Sequence, residues 1–356
     1  MTVLAEAGPA TEEPARRERP LHTLDRFRVA MIAVMATGVV VLFGLALMLG
    51  DTFYGPSTIG AVISERLLGT GDAGGASFTV GDLRLPRAVT GLLAGLAFGA
   101  AGTTFQTLLR NPLAAPDVIG ITGGASLAAV VSILAFGLTG AAVSFAAIGG
   151  ALVAAAIVLL LADRGGLDIV RVVLIGIALA AMAQAGISTA LLGADEYDLA
   201  TAFRWLAGSL NNASWDGIGM LLLGVAVGLP VLALLDRQLR VLQLGDDAAA
   251  GLGVRVEPVR RGLVVTAVLL LAVAVSATGP IAFVAFLAGP IASQVVRRGS
   301  LLVPAMLMGA ILVLGADLAA GQVLPTQYPV GVVTGALGAP FLIFLLIRQA
   351  RTRGVS

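Results

Sequence analysis

Ten apolar stretches punctuate the chain between Val29 and Ile347, most of them near the roughly 20 helical residues that cross a hydrocarbon core about 30 Å thick. They predict helices over Val29–Leu49, Leu85–Leu108, Val118–Phe136, Ala141–Ala162, Val172–Leu192, Ile218–Leu235, Leu263–Ala277, Ile281–Val296, Leu302–Ala320 and Val330–Ile347. Charge is almost absent inside them, as expected where a charged side chain at mid-depth costs at least about 2.5 kcal/mol. The fold class that follows is all-α, a polytopic membrane protein with about ten transmembrane helices. Polar residues at the ends divide it into a flexible tail over residues 1–27, a membrane domain over 28–348 and a short tail over 349–356. The first stretch is longer than a signal-peptide core and no small-residue cleavage site precedes Asp51, so it predicts a retained span.

The basic residues orient these spans. With the N-terminus in the cytoplasm, 18 of the 22 arginines fall in inside segments, and only Arg66, Arg84, Arg87 and Arg204 lie outside. That bias predicts an even number of spans with both termini cytoplasmic. Inside the second span Gly91, Gly95 and Gly99 recur every four residues, with Gly102 close by, and so present one face that lets another helix approach closely. Pro230, Pro280, Pro290, Pro304 and Pro340 mark helix breaks, and Gly279-Pro280-Ile281-Ala282 is echoed by Gly289-Pro290-Ile291-Ala292.

Composition then removes whole classes of chemistry. At 58% hydrophobic, 12% charged and mean hydropathy +0.99, the chain has too little polar surface for a water-soluble monomer. All 22 basic residues are Arg, so the phosphate-gripping Lys of a P-loop is missing and the chain cannot be a P-loop ATPase by itself. There is no Cys, and the single His, His22, lies in the N-terminal tail. No thiolate or imidazole site for a transition metal is available within the membrane, so any metal cargo arrives chelated. An intramembrane enzyme lacks its nucleophile and base for the same reason. Scattered arginines form no basic face for nucleic acid.

Three features carry candidate function. Ionisable groups at membrane depth, which ion-driven carriers use to bind the coupling ion, are nearly absent; Asp317, near the outer end of the ninth span, is the main exception. Energy for transport is therefore expected from a partner. The longest inside segment between spans, Asp236 to Arg261, contains Gly245-Asp246-Asp247-Ala248 and ends Gly251-Leu252-Gly253. Acidic residues favour a helix start, alanines continue it and glycine ends it, so a short helix is predicted, either an ordinary surface helix or a handle for another protein. Arg84 and Arg87 sit before the second span against the charge bias. Two readings are open, headgroup anchoring or bidentate capture of carboxylates.

The run Leu83-Arg84-Leu85-Pro86-Arg87, the segment from Leu109-Arg110-Asn111-Pro112-Leu113 to Gly120, and the stretch Leu244 to Gly253 together resemble the permease family that imports iron-siderophores, haem and vitamin B12. Trp205 to Leu210, Gly279 to Phe283 and Pro329 to Phe341 extend the resemblance over nearly the whole chain after the tail. It implies the type II fold of ATP-binding-cassette importers, in the bacterial cytoplasmic membrane. Two permease subunits, identical or paralogous, sit on an ATPase dimer that holds ATP and Mg, and a soluble substrate-binding protein delivers the cargo. The permease itself binds no cofactor and touches cargo and membrane lipid alone besides these partners. Carried over residue by residue, the resemblance makes Arg84 and Arg87 the binding-protein docking pair. It makes Gly245, Asp246, Asp247, Ala248, Gly251, Leu252 and Gly253 the coupling helix, and Asn111 and Leu113, with Ile169 and Val170, the inner gate.

Some positions depart from the family. Ser293 follows Gly289-Pro290-Ile291-Ala292 where many relatives have Arg after Ile-Ala, and Gly321 stands where some carry an outer Arg. The Trp205 motif resembles siderophore permeases more than vitamin B12 ones. The expectation is a ferric-siderophore permease, with vitamin B12 or haem import as the alternative within the family and a proton-coupled secondary carrier as the alternative outside it.

Overall fold

The computed structural model describes residues 21–69, 74–114, 120–163, 169–296, 299–324 and 326–353. Most of the N-terminal tail, Arg164, Arg297, Arg298 and the Ala115–Ile119 part of the second motif lie outside the described residues. In chain order the helices are α1 (Leu21–Met48), α2 (Pro56–Leu68), a π-helical turn over Ser77–Arg84, α3 (Leu85–Leu108), α4 (Ile121–Phe136), α5 (Ala141–Ala162) and α6 (Ile169–Leu191). They continue as α7 (Glu196–Leu206), α8 (Trp215–Leu242), α9 (Asp246–Gly251), α10 (Val256–Thr278), α11 (Val284–Val295), α12 (Leu302–Leu318), a π-helical turn over Ala319–Val323 and α13 (Val330–Arg353).

Every apolar stretch contains a helix, and among the described residues eight helical segments are long and apolar enough to cross a membrane. One expected span is shorter than the pattern predicted, and the expected start of another, at Val118, lies outside the described residues. α4 has 16 residues and starts after Gly120, whose φ of 77° is left-handed. α11 has 12 residues because Phe283, also left-handed at φ 65°, delays its start beyond the Gly279-Pro280 break. Helices α2 and α7 are absent from the expected list, since at 13 and 11 residues they are too short and too polar for a spanning scan. Their ends nonetheless follow local rules: Pro56 opens α2, and α7 has Glu196 and Asp198 in its first turn and Arg204 in its last.

α3 is the axis of the bundle. In the segment Ser77–Leu108, 83% of the apolar window is buried, against 11% for α1, which puts α1 on the rim of the bundle. α3 packs against α12, α10, α11 and α8. Its glycine face is what brings α12 in: a Cβ on Gly95 would lie 2.6 Å from Ala310 Cα, and one on Gly99 would strike the Ala305 backbone. Gly309 of α12 returns the fit, since its own Cβ would meet the Gly95 carbonyl. Backbones this close make many dispersion contacts, which is how helices associate where lipid offers no hydrophobic gain.

The two Gly-Pro repeats each serve a contact with another helix. Pro290 lacks an N–H, which frees the Phe286 carbonyl four residues earlier. Buried Gln106 of α3 donates its Nε2 to that carbonyl at 2.9 Å, and Gly289 leaves room for the Gln106 side chain. Gln106→Leu should therefore lower stability by about 1–3 kcal/mol by orphaning a buried carbonyl. In a Pro290→Ala background, where the helical N–H returns, the cost should fall, a coupling that thermal unfolding of the four proteins in detergent measures. At the other repeat, Gly279 ends α10 against the Trp205 carbonyl, Thr278 O accepts the Ser209 N–H at 2.7 Å, and Gly208 O accepts the Gly331 N–H at 3.0 Å. Three motifs far apart in sequence, at Trp205–Leu210, Gly279–Phe283 and Pro329–Phe341, thus meet at one junction.

Candidate docking and gating sites

α3 carries candidate residues at both ends. Its 24 residues span about 36 Å at 1.5 Å per residue, more than the hydrocarbon thickness. Arg84 and Arg87 therefore stand at one end of the bundle, and Asn111 with Leu113 follows at the other.

At the first end both guanidiniums are engaged within the chain. Arg84 donates through Nη1 to the Leu47 and Met48 carbonyls at 3.0 and 3.1 Å and through Nη2 to Thr52 O at 2.6 Å. Leu47 and Met48 are the last residues of α1, whose terminal carbonyls have no helical partner, so Arg84 caps α1. Its guanidinium also lies 5.1 Å from the centre of the Tyr54 ring. Arg87 grips Asp317 of α12 with Nε at 2.9 Å and Nη2 at 2.8 Å. The Asp317 side chain is 8% exposed and that of Arg87 30%, so the pair closes the junction of α3 and α12 with its basic partner reaching solvent. Arg84, Arg87 and Asp317 line a cleft of about 540 Å³ together with Asp51, Thr52 and Gln322. Asn211 belongs both to this cleft and to a neighbouring one of about 520 Å³ lined by Tyr197, Arg204, Asp216 and Thr278.

At the opposite end α9 forms over Asp246–Gly251, the six residues that the Asp-Asp-Ala-Ala-Ala-Gly pattern predicted. Gly245 precedes it at φ 111° and Gly253 follows it at φ 82°. Ala249 is fully buried in the bundle core, while Asp247, Ala248, Leu244 and Leu252 are exposed. α9 therefore turns one side into the protein and offers a mixed acidic and apolar surface outward. One arginine holds its base, and another holds the last carbonyl of α8 just before it. Arg260 of α10 donates through Nη2 to both carboxylate oxygens of Asp246, at 2.7 and 2.8 Å, and Arg110 donates to the Leu242 carbonyl at 2.8 Å. The two adjacent acids thus differ: Asp246 faces Arg260, and Asp247 faces solvent.

Of the gate candidates, Asn111 accepts the Leu113 N–H on its Oδ1 at 2.9 Å, an Asx turn that stiffens the loop leaving α3. Asn111 and Pro112 line a cleft of about 360 Å³ with Gln106, Arg110, Gln243 and Ser293. Ile169 and Val170 open α6, and Val170 is 65% exposed. Residues 115–119, which follow the Asn111 loop, and 164–168, which precede α6, lie outside the described residues.

Sequence reasoning singled out neither Arg110 nor Arg260, nor the partners Asp317 and Gln106 in their observed roles. For Arg110 a signal existed: an Arg occupies the position after an apolar helix where glycine is the usual terminator. Arg260 follows Asp246 by 14 residues and has no periodic signature.

The chain is 42% identical over 281 residues to the ferric enterobactin transport system permease protein FepG of Escherichia coli (strain K12), covering 78% of this chain and 84% of that one. It is 38% identical over 341 residues to the achromobactin transport system permease protein CbrC of Dickeya dadantii (strain 3937), covering 94% of each. In three dimensions it is similar to an inward-facing metal-chelate type ABC transporter, with TM-score 0.79 and 24% identity over 90% of this chain and 99% of that one. The sequence profile of the FecCD transport family matches residues 38–348, and with a bundle built around α3 and relatives of this identity, the chain belongs to that family of membrane transport permeases.

Proposed function

We propose that the chain is one of two permease subunits of a bacterial inner-membrane importer for ferric siderophores, powered by ATP that a separate ATPase dimer hydrolyses. The observation that carries this reading is α9, a short helix held at its base by Arg260 and exposing Asp247, Ala248 and Leu252. An exposed helix of this kind is a surface through which another protein can push on the spans. The scarcity of ionisable groups within the spans supports the same conclusion, because a proton- or ion-driven carrier needs them. The names of the relatives, transport systems for ferric enterobactin and achromobactin, favour a ferric siderophore as cargo.

In this scheme the α9 end faces the cytoplasm and the Arg84 end faces outward, with both termini inside. A substrate-binding protein docks its carboxylates on Arg84 and Arg87 through guanidinium edges not taken by the internal bonds. The chelate enters through the neighbouring polar clefts. ATP-driven closure of the ATPases moves the surface of α9, and the loop at Asn111–Leu113 with the start of α6 at Ile169 and Val170 opens the inner exit. Each step is one of position and force, with no covalent chemistry on this chain.

The test is uptake by proteoliposomes that hold the permease with the ATPase and binding protein from its own genome, offered radiolabelled ferric catecholate and hydroxamate chelates, haem and vitamin B12. Uptake of a ferric chelate that needs ATP and survives collapse of the proton gradient is the expected result. Uptake that disappears with the gradient overturns the ATP-driven reading, and uptake of vitamin B12 or haem alone overturns the cargo.

A further inference from the structure

We propose that Arg110 is the positioning residue that passes movement of α9 to the gate loop at Asn111–Leu113, an inference that rests on α9 being the surface on which the ATPase acts. α3 ends in a tight turn in which the Arg110 N–H bonds Thr107 O at 3.2 Å and the Asn111 N–H bonds Gln106 O at 3.0 Å. This pairing puts Arg110 at the position that takes a left-handed backbone, and its φ is 50°. Glycine is the usual occupant, because any Cβ is crowded there. Strain retained at such a place points to a task for the side chain.

The side chain has one. Arg110 Nη2 donates to the Leu242 carbonyl at 2.8 Å, and the same carbonyl accepts the Gly245 N–H at 3.2 Å. Gly245 is the residue from which α9 starts, and its own carbonyl accepts the Ala249 N–H at 2.9 Å. One carbonyl therefore joins the base of α9 to the residue before the gate loop. Beyond Arg110 the loop is itself cross-braced: Asn111 accepts Leu113 N–H on its side chain at 2.9 Å and Ala114 N–H on its carbonyl at 3.0 Å. The second brace of α9, Asp246 to Arg260, leads to α10 instead. A charged donor on a carbonyl at a helix C-terminus is among the stronger neutral-acceptor bonds, which suits it to couple the two segments.

A role confined to stability is separable from transmission. Arg110→Gly removes the link and also relieves the left-handed strain, while Arg110→Met keeps the stem and loses the donor. In the full complex in proteoliposomes both variants should bind the ATPase and hydrolyse ATP as the parent does, while uptake per ATP falls about tenfold, a typical coupling between sites. Arg110→Lys, which can still donate to the Leu242 carbonyl, should recover most of the uptake. The chain has no Cys, so spin labels on Ala114→Cys and Ala250→Cys read the loop-to-α9 distance directly. That distance should stay narrow through the ATP cycle with Arg110 and broaden in Arg110→Gly. Unchanged uptake per ATP, or an unchanged distance distribution, in both variants overturns the assignment of Arg110. Asp247→Arg, which alters the exposed acid alone, tests the underlying reading separately: if the ATPase still binds and uptake is intact, α9 is not the hook and both proposals fall.

Discussion

Gly99→Val should remove the folded protein from the membrane fraction. The added side chain begins with a Cβ that strikes the Ala305 carbonyl group and comes within 3.0 Å of Met306 Cα, so the obstacle is backbone and cannot turn aside. α3 and α12 must separate, and because α3 also packs on α8, α10 and α11, the shift propagates through the bundle. Overpacking a core typically costs about 1–3 kcal/mol, and a clash against backbone at the central helix belongs at or above the upper end. Gly102→Val should behave alike, since its Cβ would strike Ala285 of α11. Gly44→Val on α1 is the control: nothing lies within 4 Å of its Cβ position, so the same change should be tolerated. Fluorescence-detected size exclusion of the three proteins checks this; equal monodisperse yields would refute the close crossing.

Arg87→Gln should be the most damaging single change at the outer rim, for two reasons that can be told apart. It leaves the Asp317 carboxylate, 8% exposed, without its cation. Breaking a buried pair by deleting one partner costs about 3–5 kcal/mol, and the lower figure suits a pair whose Arg still reaches solvent. It also deletes a guanidinium from the surface proposed to receive the binding protein. Asp317→Asn separates the effects, because it lowers stability while freeing Arg87 to meet an incoming carboxylate. The expected pattern is that Arg87→Gln weakens both unfolding temperature and binding-protein affinity, whereas Asp317→Asn lowers only the first. Thermal unfolding and surface binding at low and high salt supply the measurements, with the affinity loss greatest at low salt. Parallel losses in both variants would make Arg87 a structural residue and remove it from the docking surface. Arg84 carries the same double demand, since its guanidinium caps α1 at Leu47 and Met48.

Much of this was legible in the sequence because membrane burial imposes a one-dimensional rule. A span must be long, apolar and helical, so α1, α3, α5, α6, α8, α10, α12 and α13 are read directly from runs of apolar residues. α9 was legible for a different reason: Gly245, two acids, three alanines and Gly251 spell a helix start and stop within one short window. α2 and α7 were not, since neither is apolar enough to register as a span nor bounded by so clear a pattern. The start of α11 falls later than the apolar run because Phe283 takes a left-handed backbone, which its residue type does not announce.

The candidate sites divide along the same line. Their residue types follow from composition: arginine against the charge bias at 84 and 87, paired acids at 246 and 247, no Lys or Cys anywhere. By itself the sequence determined the all-helical membrane class and the short helix between two spans. Only the tertiary structure decided which groups hold one another: Arg87 with Asp317 at a separation of 230 residues, Gln106 with Phe286 at 180, Arg110 with Leu242 at 132. The physical reason is range. Hydropathy and capping act within a span or a turn, whereas a guanidinium or an amide bonds whatever carbonyl or carboxylate the packing of α3 brings within 3 Å, and no local pattern records that partner.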